Sequence, residues 1–331
     1  MIKLPVVAIT IALGASALVA TPAHATVPSL CLAYDTGGPG DRSFNDAAFA
    51  GLKKSQQVSP FAAESAVTDG SEADRNKRLR TFVSKGCKVI VAIGAGYAPT
   101  LRVVAEDFPE RQFAIINDQS IAAFNVASIV FDETQGAFLA GAAAALSTKT
   151  GKVAMITTPS QISSYEDGFL AGVKAAKKNI KSYVKFAPST GASQAKALMS
   201  TGVDVLYLAT SGSADAIFDA VVAQNSAKPR KGISNEVGVI VVEPDLYLSV
   251  TPSTAKYLLA SVTKRVDKAL TDLIAESVTD TPLLEVLDSK AGIYGHRYTI
   301  ADKGIEIVIK SKPLAAQTNA INAIASSTYE R

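Results

Sequence analysis

The sequence has few of the residues from which catalytic and metal-binding sites are commonly built. Its 331 residues include two cysteines and two histidines. One histidine, His24, belongs to a predicted leader, and the other, His296, lies in a Gly-containing turn with no acid or nucleophile nearby in sequence. No Gly-x-Ser-x-Gly elbow, phosphate-binding Gly-Lys-Ser/Thr loop or Cys/His metal spacing occurs. These absences predict a protein that is not an enzyme and that holds neither a metal nor a cofactor.

Neither positive nor negative charge is present in large excess. The chain has 33 Lys and Arg against 30 Asp and Glu, a net charge of +3. So small a surplus gives no electrostatic footprint for nucleic acid, and we expect no nucleic-acid partner.

Long apolar runs are confined to the beginning of the chain. Lys3, the mostly apolar stretch 6–20 and the small-x-small pattern Ala23-His24-Ala25 are typical of an export signal cleaved after residue 25. An uncleaved N-terminal anchor is the alternative. No later segment approaches the roughly 20 apolar residues of a spanning helix. We therefore expect an exported protein, at the cell surface or in the periplasm, associated with the outer face of the cytoplasmic membrane.

The two cysteines, Cys31 and Cys87, fall at or just before two strands that are predicted to be neighbours. Export permits a disulfide between them. Two buried thiols that act as small hydrophobic residues fit the sequence equally well.

Short apolar runs alternate with amphipathic stretches along the rest of the chain. The run 88–94 is typical of a strand buried on both faces. The pattern to residue 131 is β-α-β-α-β-α-β-β, and a similar pattern starts again at 134. Residues 254–276 are predicted to form one long helix, followed by a strand region at 298–309 and a helix at 315–328.

This order predicts the α/β class, as two doubly wound parallel-sheet lobes joined by a hinge, the type I periplasmic-binding-protein fold. After the export signal (1–25), the first lobe is expected to comprise 26–131 plus about 244–280. The second is expected to comprise 132–243 plus about 281–331. In such a fold a ligand lies between the carboxyl edges of both sheets, and hinge closure traps it.

Polar groups are concentrated where the first strand turns into a helix. Asp35, Ser43, Phe44 and Asn45 offer a carboxylate, a hydroxyl, a ring and an amide, with Ser43 placed as an N-cap. Open α/β sheets bind ligands at such strand-to-helix turns. Tyr97 follows another predicted strand at the same edge and is a further candidate contact.

The same stretch resembles the opening motif of the BMP (basic membrane protein) family, substrate-binding proteins of ABC transporters that include the purine-nucleoside receptors. Further matches follow in the family's order, at 113–118, 125–131, 136–141, 149–153, 168–174 and 263–267. The resemblance covers about 30–270.

The resemblance implies a nucleoside ligand whose base lies between aromatic rings and whose ribose hydroxyls are held by acids and a lysine. The residues that match the family's contacts are Asp35, Phe44, Asn45, Asn117 or Asp118, Tyr165, Glu243, Asp245 and Lys264. The chain departs from the family at 157–160 and 210–214, in Glu243 and in Asn117, which stands where an acid is often found. The usual lipid anchor is not recognised in the sequence.

The resemblance therefore implies a monomeric binding protein of an ABC importer, with a nucleoside ligand, preferably a purine, and with permease and ATPase partners. A ligand sensor of the same fold without transport is one alternative. A nucleoside hydrolase that uses Asp35, Asp41 and Asp118 around a divalent ion is the other.

Overall fold

The computed structural model describes residues 29–41, 44–158, 162–187, 191–210, 214–229, 231–242, 251–278, 287–288 and 292–329. The predicted export signal, Ser43, Glu243 and Asp245 lie outside these ranges. No helix in the described ranges is long and apolar enough to span a membrane.

Strands and helices alternate in the first part of the chain. They are β1 (Leu30–Tyr34), α1 (Phe44–Val58), β2 (Ala63–Val67), α2 (Glu72–Ser84), β3 (Val89–Ile93), α3 (Ala98–Asp107), β4 (Gln112–Ile116) and β5 (Val126–Phe131). β1 and β3 are buried at all five positions. Burial on both faces is what their continuous apolar sequences predict, because helices cover both sides of a doubly wound sheet.

The alternation continues in the middle of the chain with α4 (Glu133–Ser147), β6 (Lys152–Thr157), α5 (Ile162–Ala176), β7 (Lys181–Phe186), α6 (Ala192–Ser200), β8 (Val205–Ala209), α7 (Asp215–Ser226) and β9 (Gly238–Val242). The C-terminal elements are α8 (Pro252–Ala255), β10 (Leu258–Lys264), α9 (Val266–Val278), β11 (Leu287–Asp288), β12 (Ile293–Tyr298), β13 (Ile305–Ile309), α10 (Lys312–Ala315) and α11 (Thr318–Tyr329).

The strands form two sheets, in the orders β11-β12-β5-β4-β3-β1-β2 and β13-β10-β9-β8-β6-β7. Only the edge strands β11 and β13 are antiparallel to their neighbours in the described ranges. The predicted α/β class with two parallel-sheet lobes is confirmed.

The predicted long helix at 254–276 is wrong. Its first half is the strand β10, which pairs with β9 in parallel and with β13 antiparallel, and only its second half is the helix α9. A short apolar run has no periodicity that separates a buried strand from a helix. The strand region predicted at 298–309 is likewise two strands, β12 in the first sheet and β13 in the second.

Among the described elements, the chain passes from one sheet to the other three times, after β5, after β10 and after β12, and these crossings lie side by side. Asp132 N–H donates to Tyr298 O at 2.8 Å, and Arg265 N–H donates to Gly304 O at 2.8 Å. The backbone of the third crossing is also held by the first, since Ile300 N–H donates to the Gln135 side chain at 2.9 Å. β10 lies in the second sheet, between β9 and β13.

Cys31 and Cys87 form a disulfide, with Cα atoms 5.9 Å apart. Both are fully buried. The bond joins β1 to the residue that leads into β3, its neighbour in the first sheet. Of the two alternatives that the sequence allowed, the structure shows the bridge.

Candidate functional site

Several of the predicted contacts in the described part of the chain lie at the carboxyl ends of strands. Asp35 follows β1, Asn117 and Asp118 follow β4, and Lys264 is the last residue of β10. The Lys264 ammonium donates to Asn117 Oδ1 at 3.1 Å, so a second-sheet strand end reaches a first-sheet loop directly. Sequence positions more than a hundred residues apart thus meet at one place between the lobes.

Lys264 is the centre of this meeting point. Its side chain is 5% exposed, and its ammonium donates to Glu133 Oε1 at 2.7 Å. The same nitrogen lies 5.9 Å from the centre of the Phe44 ring. Burial lowers the pKa of Lys264, while the charge and hydrogen bond of Glu133 oppose that decrease. A buried ammonium between a carboxylate, an amide oxygen and a ring face is suited to a polar ligand that carries a flat group.

Phe44 begins α1 and is half-buried. Part of its ring packs against the main hydrophobic core, and the Lys264 ammonium lies within cation–π range of it. The ring therefore stands at the boundary between the core and the meeting point of the lobes.

The Asp35 carboxylate is fixed by the first lobe. Its Oδ1 accepts from Thr36 N–H at 2.9 Å and from Arg75 Nη2 at 2.9 Å. On the Oδ2 side, Gly94 and Gly96 make room, because a Cβ at either position would lie 3.1 or 3.2 Å from this oxygen. Gly94 also has a φ of +102°, which a side chain would disfavour.

Asn45 uses its amide to hold the β1–α1 turn. It is 2% exposed, its Oδ1 accepts from Asp35 N–H at 3.1 Å, and its Nδ2 donates to Asp41 Oδ2 at 2.7 Å and to Thr36 O at 3.2 Å. These bonds fix the backbone that presents Asp35.

Tyr97 is fully buried below the same edge. Its hydroxyl donates to Tyr34 O at 3.0 Å, and the Arg75 guanidinium lies 5.4 Å from the centre of its ring. Burial raises the pKa of Tyr97. The ring supports Arg75 from beneath, and Arg75 in turn holds Asp35.

A cavity of about 640 Å³ opens beside Lys264, between the loop after β4 and the beginning of α4. Its lining includes Asn117, Asp118, Glu133, Ser164 and Arg297. Asn117 takes a left-handed backbone conformation with φ of +67°, which asparagine tolerates better than most residues. Asp118 Oδ1 accepts from Ser120 N–H at 2.8 Å and from Ser120 Oγ at 2.7 Å.

Tyr165 is 2% exposed, on α5 next to Glu133. Burial and the nearby negative charge of Glu133 raise the pKa of Tyr165. The Glu133 carboxylate thus acts electrostatically on both Tyr165 and Lys264.

Sequence reasoning missed Glu133 and Arg75. An acid in the first turn of a helix is ordinarily explained by the helix dipole, and an arginine on a charged helix by solvent exposure. The available signal for Glu133 was its position directly after the strand end at Phe131 and Asp132.

The three acids considered for a hydrolase have separate partners. Asp35 pairs with Arg75, Asp41 accepts from Asn45, and Asp118 accepts from Ser120. Among the described residues, no group of three His, Cys, Asp or Glu side chains could hold a metal ion.

Residues 31–329 match the Bmp family, described as ABC transporter substrate-binding protein PnrA-like. Two curated relatives agree. The CD4+ T-cell-stimulating antigen of Listeria monocytogenes serovar 1/2a is 34% identical over 264 residues, 74% of this chain and 72% of that protein. The ABC transporter nucleoside-binding protein BmpA of Lactococcus lactis subsp. cremoris is 29% identical over 261 residues, 74% of this chain and 73% of that protein.

A solved structure of an ABC transporter solute-binding protein from Conexibacter woesei superposes with a TM-score of 0.67. The alignment covers 91% of this chain and 97% of that one at 16% identity, a level that shows the fold alone. It confirms the predicted type I periplasmic-binding-protein fold.

Proposed function

Because this chain belongs to the Bmp family of PnrA-like ABC transporter substrate-binding proteins, we propose that it captures a nucleoside between its two lobes. The observation that carries the proposal is the position of Lys264, which belongs to the second sheet yet contacts Asn117 and the Phe44 ring of the first lobe. A ligand at this place contacts both lobes at once. The nucleoside-binding relative from Lactococcus lactis supports this ligand class.

Each part of a nucleoside has a matching group at the site. The Phe44 ring stacks on the base, an interaction worth roughly 1–3 kcal/mol. The carboxylate of Asp35 accepts from two vicinal ribose hydroxyls, and the Lys264 ammonium donates a charge-assisted hydrogen bond. Asn117 and Asp118 line the adjoining cavity and complete the first-lobe side.

The remaining predicted residues fall into two groups. Asn45 and Tyr97 hold the contacts in position from beneath, because their polar atoms are engaged within the protein, and Tyr165 does so as a buried ring close to the charge of Glu133. Ser43, Glu243 and Asp245 are proposed as further contacts on the strength of the resemblance. A purine is the preferred base, since its larger ring face gains more from stacking on Phe44.

Capture proceeds by hinge closure about the three adjacent crossings near Asp132, Arg265 and Gly304. Closure excludes water from the Lys264 and Asp35 contacts and strengthens them. The loaded protein, exported and monomeric, then presents the nucleoside to a permease and ATPase pair. The finding that the family comprises substrate-binding proteins supports this role over catalysis.

Calorimetric titration of the protein with adenosine, guanosine, inosine, cytidine, uridine and the free bases tests the ligand class. We expect purine nucleosides to bind more tightly than pyrimidine nucleosides and free bases. No binding heat with any nucleoside would overturn the proposal. Release of free base from a bound nucleoside would instead support a hydrolase.

Replacing Phe44 with alanine should weaken nucleoside binding by roughly 1–3 kcal/mol, because the stacking face is lost. Phe44 is half-buried, so we expect a small decrease in the melting temperature. Isothermal titration calorimetry and thermal unfolding measure the two effects on the same sample.

Phe49→Ala is the matched control, since Phe49 lies on the same helix and is 39% exposed. It should leave affinity unchanged. If Phe44→Ala lowers the melting temperature strongly while affinity stays the same, Phe44 belongs to the core and not to the site.

A further inference from the structure

Glu133 lies at the beginning of α4, where the chain has just crossed from the first sheet to the second. Asp132 is the N-cap of this helix, and its side chain accepts from Gln135 N–H at 3.1 Å. A carboxylate in the first helical turn is favoured by the helix dipole. The Glu133 side chain is 28% exposed, and it lines the cavity beside Lys264.

The Glu133 carboxylate is paired with a buried ammonium and acts electrostatically on two buried tyrosines. Lys264 donates to it at 2.7 Å, and the charge of Glu133, together with burial, raises the pKa of Tyr165. Tyr207, on β8, is fully buried, and the negative charge of Glu133 helps to raise its pKa. Glu133 is thus a charged group that acts directly on the Lys264 ammonium.

The charged side chain that follows Lys264 in the described part of the chain is paired with other acids. Arg265 pairs with Asp267 at 2.8 Å and with Glu306 at 3.3 Å. The contacts of Lys264 from the first lobe are the neutral Asn117 amide and the Phe44 ring. An ammonium in so little water is costly unless an opposite charge lies close to it.

We propose that Glu133 is a positioning residue for ligand capture, which keeps the Lys264 ammonium charged and directed into the interlobe site. The proposal rests on the proposed function, because the ligand that Lys264 meets is taken to be a nucleoside. It gives Glu133 a role that neither the sequence motifs nor the family match assigns.

The direction in which affinity changes with pH follows from two opposing influences on the pKa of Lys264. Burial lowers the pKa of Lys264, and Glu133 raises it. Replacing Glu133 with glutamine keeps the shape and one oxygen but removes the charge. The pKa of Lys264 then falls further, and the ammonium loses its proton at a lower pH than in the unmodified protein. Affinity should therefore fall with rising pH in Glu133→Gln while that of the unmodified protein stays level.

The experiment measures affinity for the tightest-binding nucleoside of the panel from about pH 6 to pH 9, where an unperturbed lysine remains charged. For Glu133→Gln we expect the affinity to fall on the order of tenfold or more as the pH rises from about 6 to about 9, the size of effect expected for the loss of a charged hydrogen bond. The matched control is Glu236→Gln, because Glu236 is 66% exposed and pairs with Lys149 away from the site. The affinity of Glu236→Gln should equal that of the unmodified protein at every pH. Titration of the nucleobase affects every variant alike, so it cancels when the variants are compared.

A profile of Glu133→Gln that superposes on that of the unmodified protein overturns the inference and leaves the proposed function standing. A loss that is equal at every pH also overturns it, since it would mark a structural role or a direct ligand contact. Absence of nucleoside binding by the unmodified protein overturns the proposed function instead.

A ligand-free measurement tests the pair independently. In a double-mutant cycle, Lys264→Met should lower the melting temperature less in the Glu133→Gln background than in the unmodified one. Equal decreases in both backgrounds would mean that Glu133 does not act on Lys264. Near-ultraviolet circular dichroism shows whether each variant keeps its native packing.

Discussion

Replacing both Cys31 and Cys87 with alanine should lower the free energy of unfolding by about 4 kcal/mol, the loss expected from opening a loop of this length. The bridge spans a sequence separation of 56 residues, which contains α1, β2 and α2. Without it the unfolded chain regains the freedom of that whole segment. Urea denaturation, followed by circular dichroism, measures the change.

Reducing agent provides the internal control. It should lower the denaturation midpoint of the unmodified protein toward that of the double variant and leave the double variant unaffected. Nucleoside affinity should persist under conditions where both forms are folded, because both cysteines are fully buried in a core cluster that includes neither Phe44 nor Lys264. A midpoint of the unmodified protein that does not respond to reductant would contradict the bridge.

The parallel strands at the centre of both sheets were predictable, because a strand that is buried on both faces has a continuous apolar sequence. The element order predicted to residue 131 and the strand predicted from the run 88–94, which is β3 (Val89–Ile93), match the structure, since each strand is a short run between polar or Gly-containing turns. β10 was mistaken for a helix because its apolar residues continue into those of α9. β10 is a strand and not part of the helix because it pairs with β9 and β13, and the local sequence does not reveal that pairing.

The candidate site was predictable in location and less so in detail. Strand ends in a doubly wound sheet must share an edge, and Lys264 does contact Asn117 between the lobes, while Asp35 follows β1 of the same first sheet. The direction of a side chain at that edge depends on packing that the sequence does not reveal. Asn45 and Tyr97 turn inward for this reason, and Glu133 turns toward Lys264.

Replacing Gly141 with alanine should destabilise the protein by about 3 kcal/mol or more, because overpacking here cannot be relieved by a side-chain rotation. Gly141 lies where α4 and α5 touch backbone to backbone. A Cβ at this position would stand 2.1 Å from Phe169 O, and Gly172 approaches Phe138 O in the same way. The helices would have to move apart, and thermal or urea unfolding would show the loss.

Gly136→Ala on the same helix is the matched control. Its Cβ would lie 3.2 Å from Val262 Cγ1, a side-chain atom that can yield, and alanine gains about 1 kcal/mol in helix propensity. We expect a change close to zero. Because Glu133 begins α4 and Tyr165 lies on α5, separating the two helices should also weaken ligand binding, which Gly136→Ala should not do. Equal stabilities for the two variants would mean that α4 and α5 can separate at little cost.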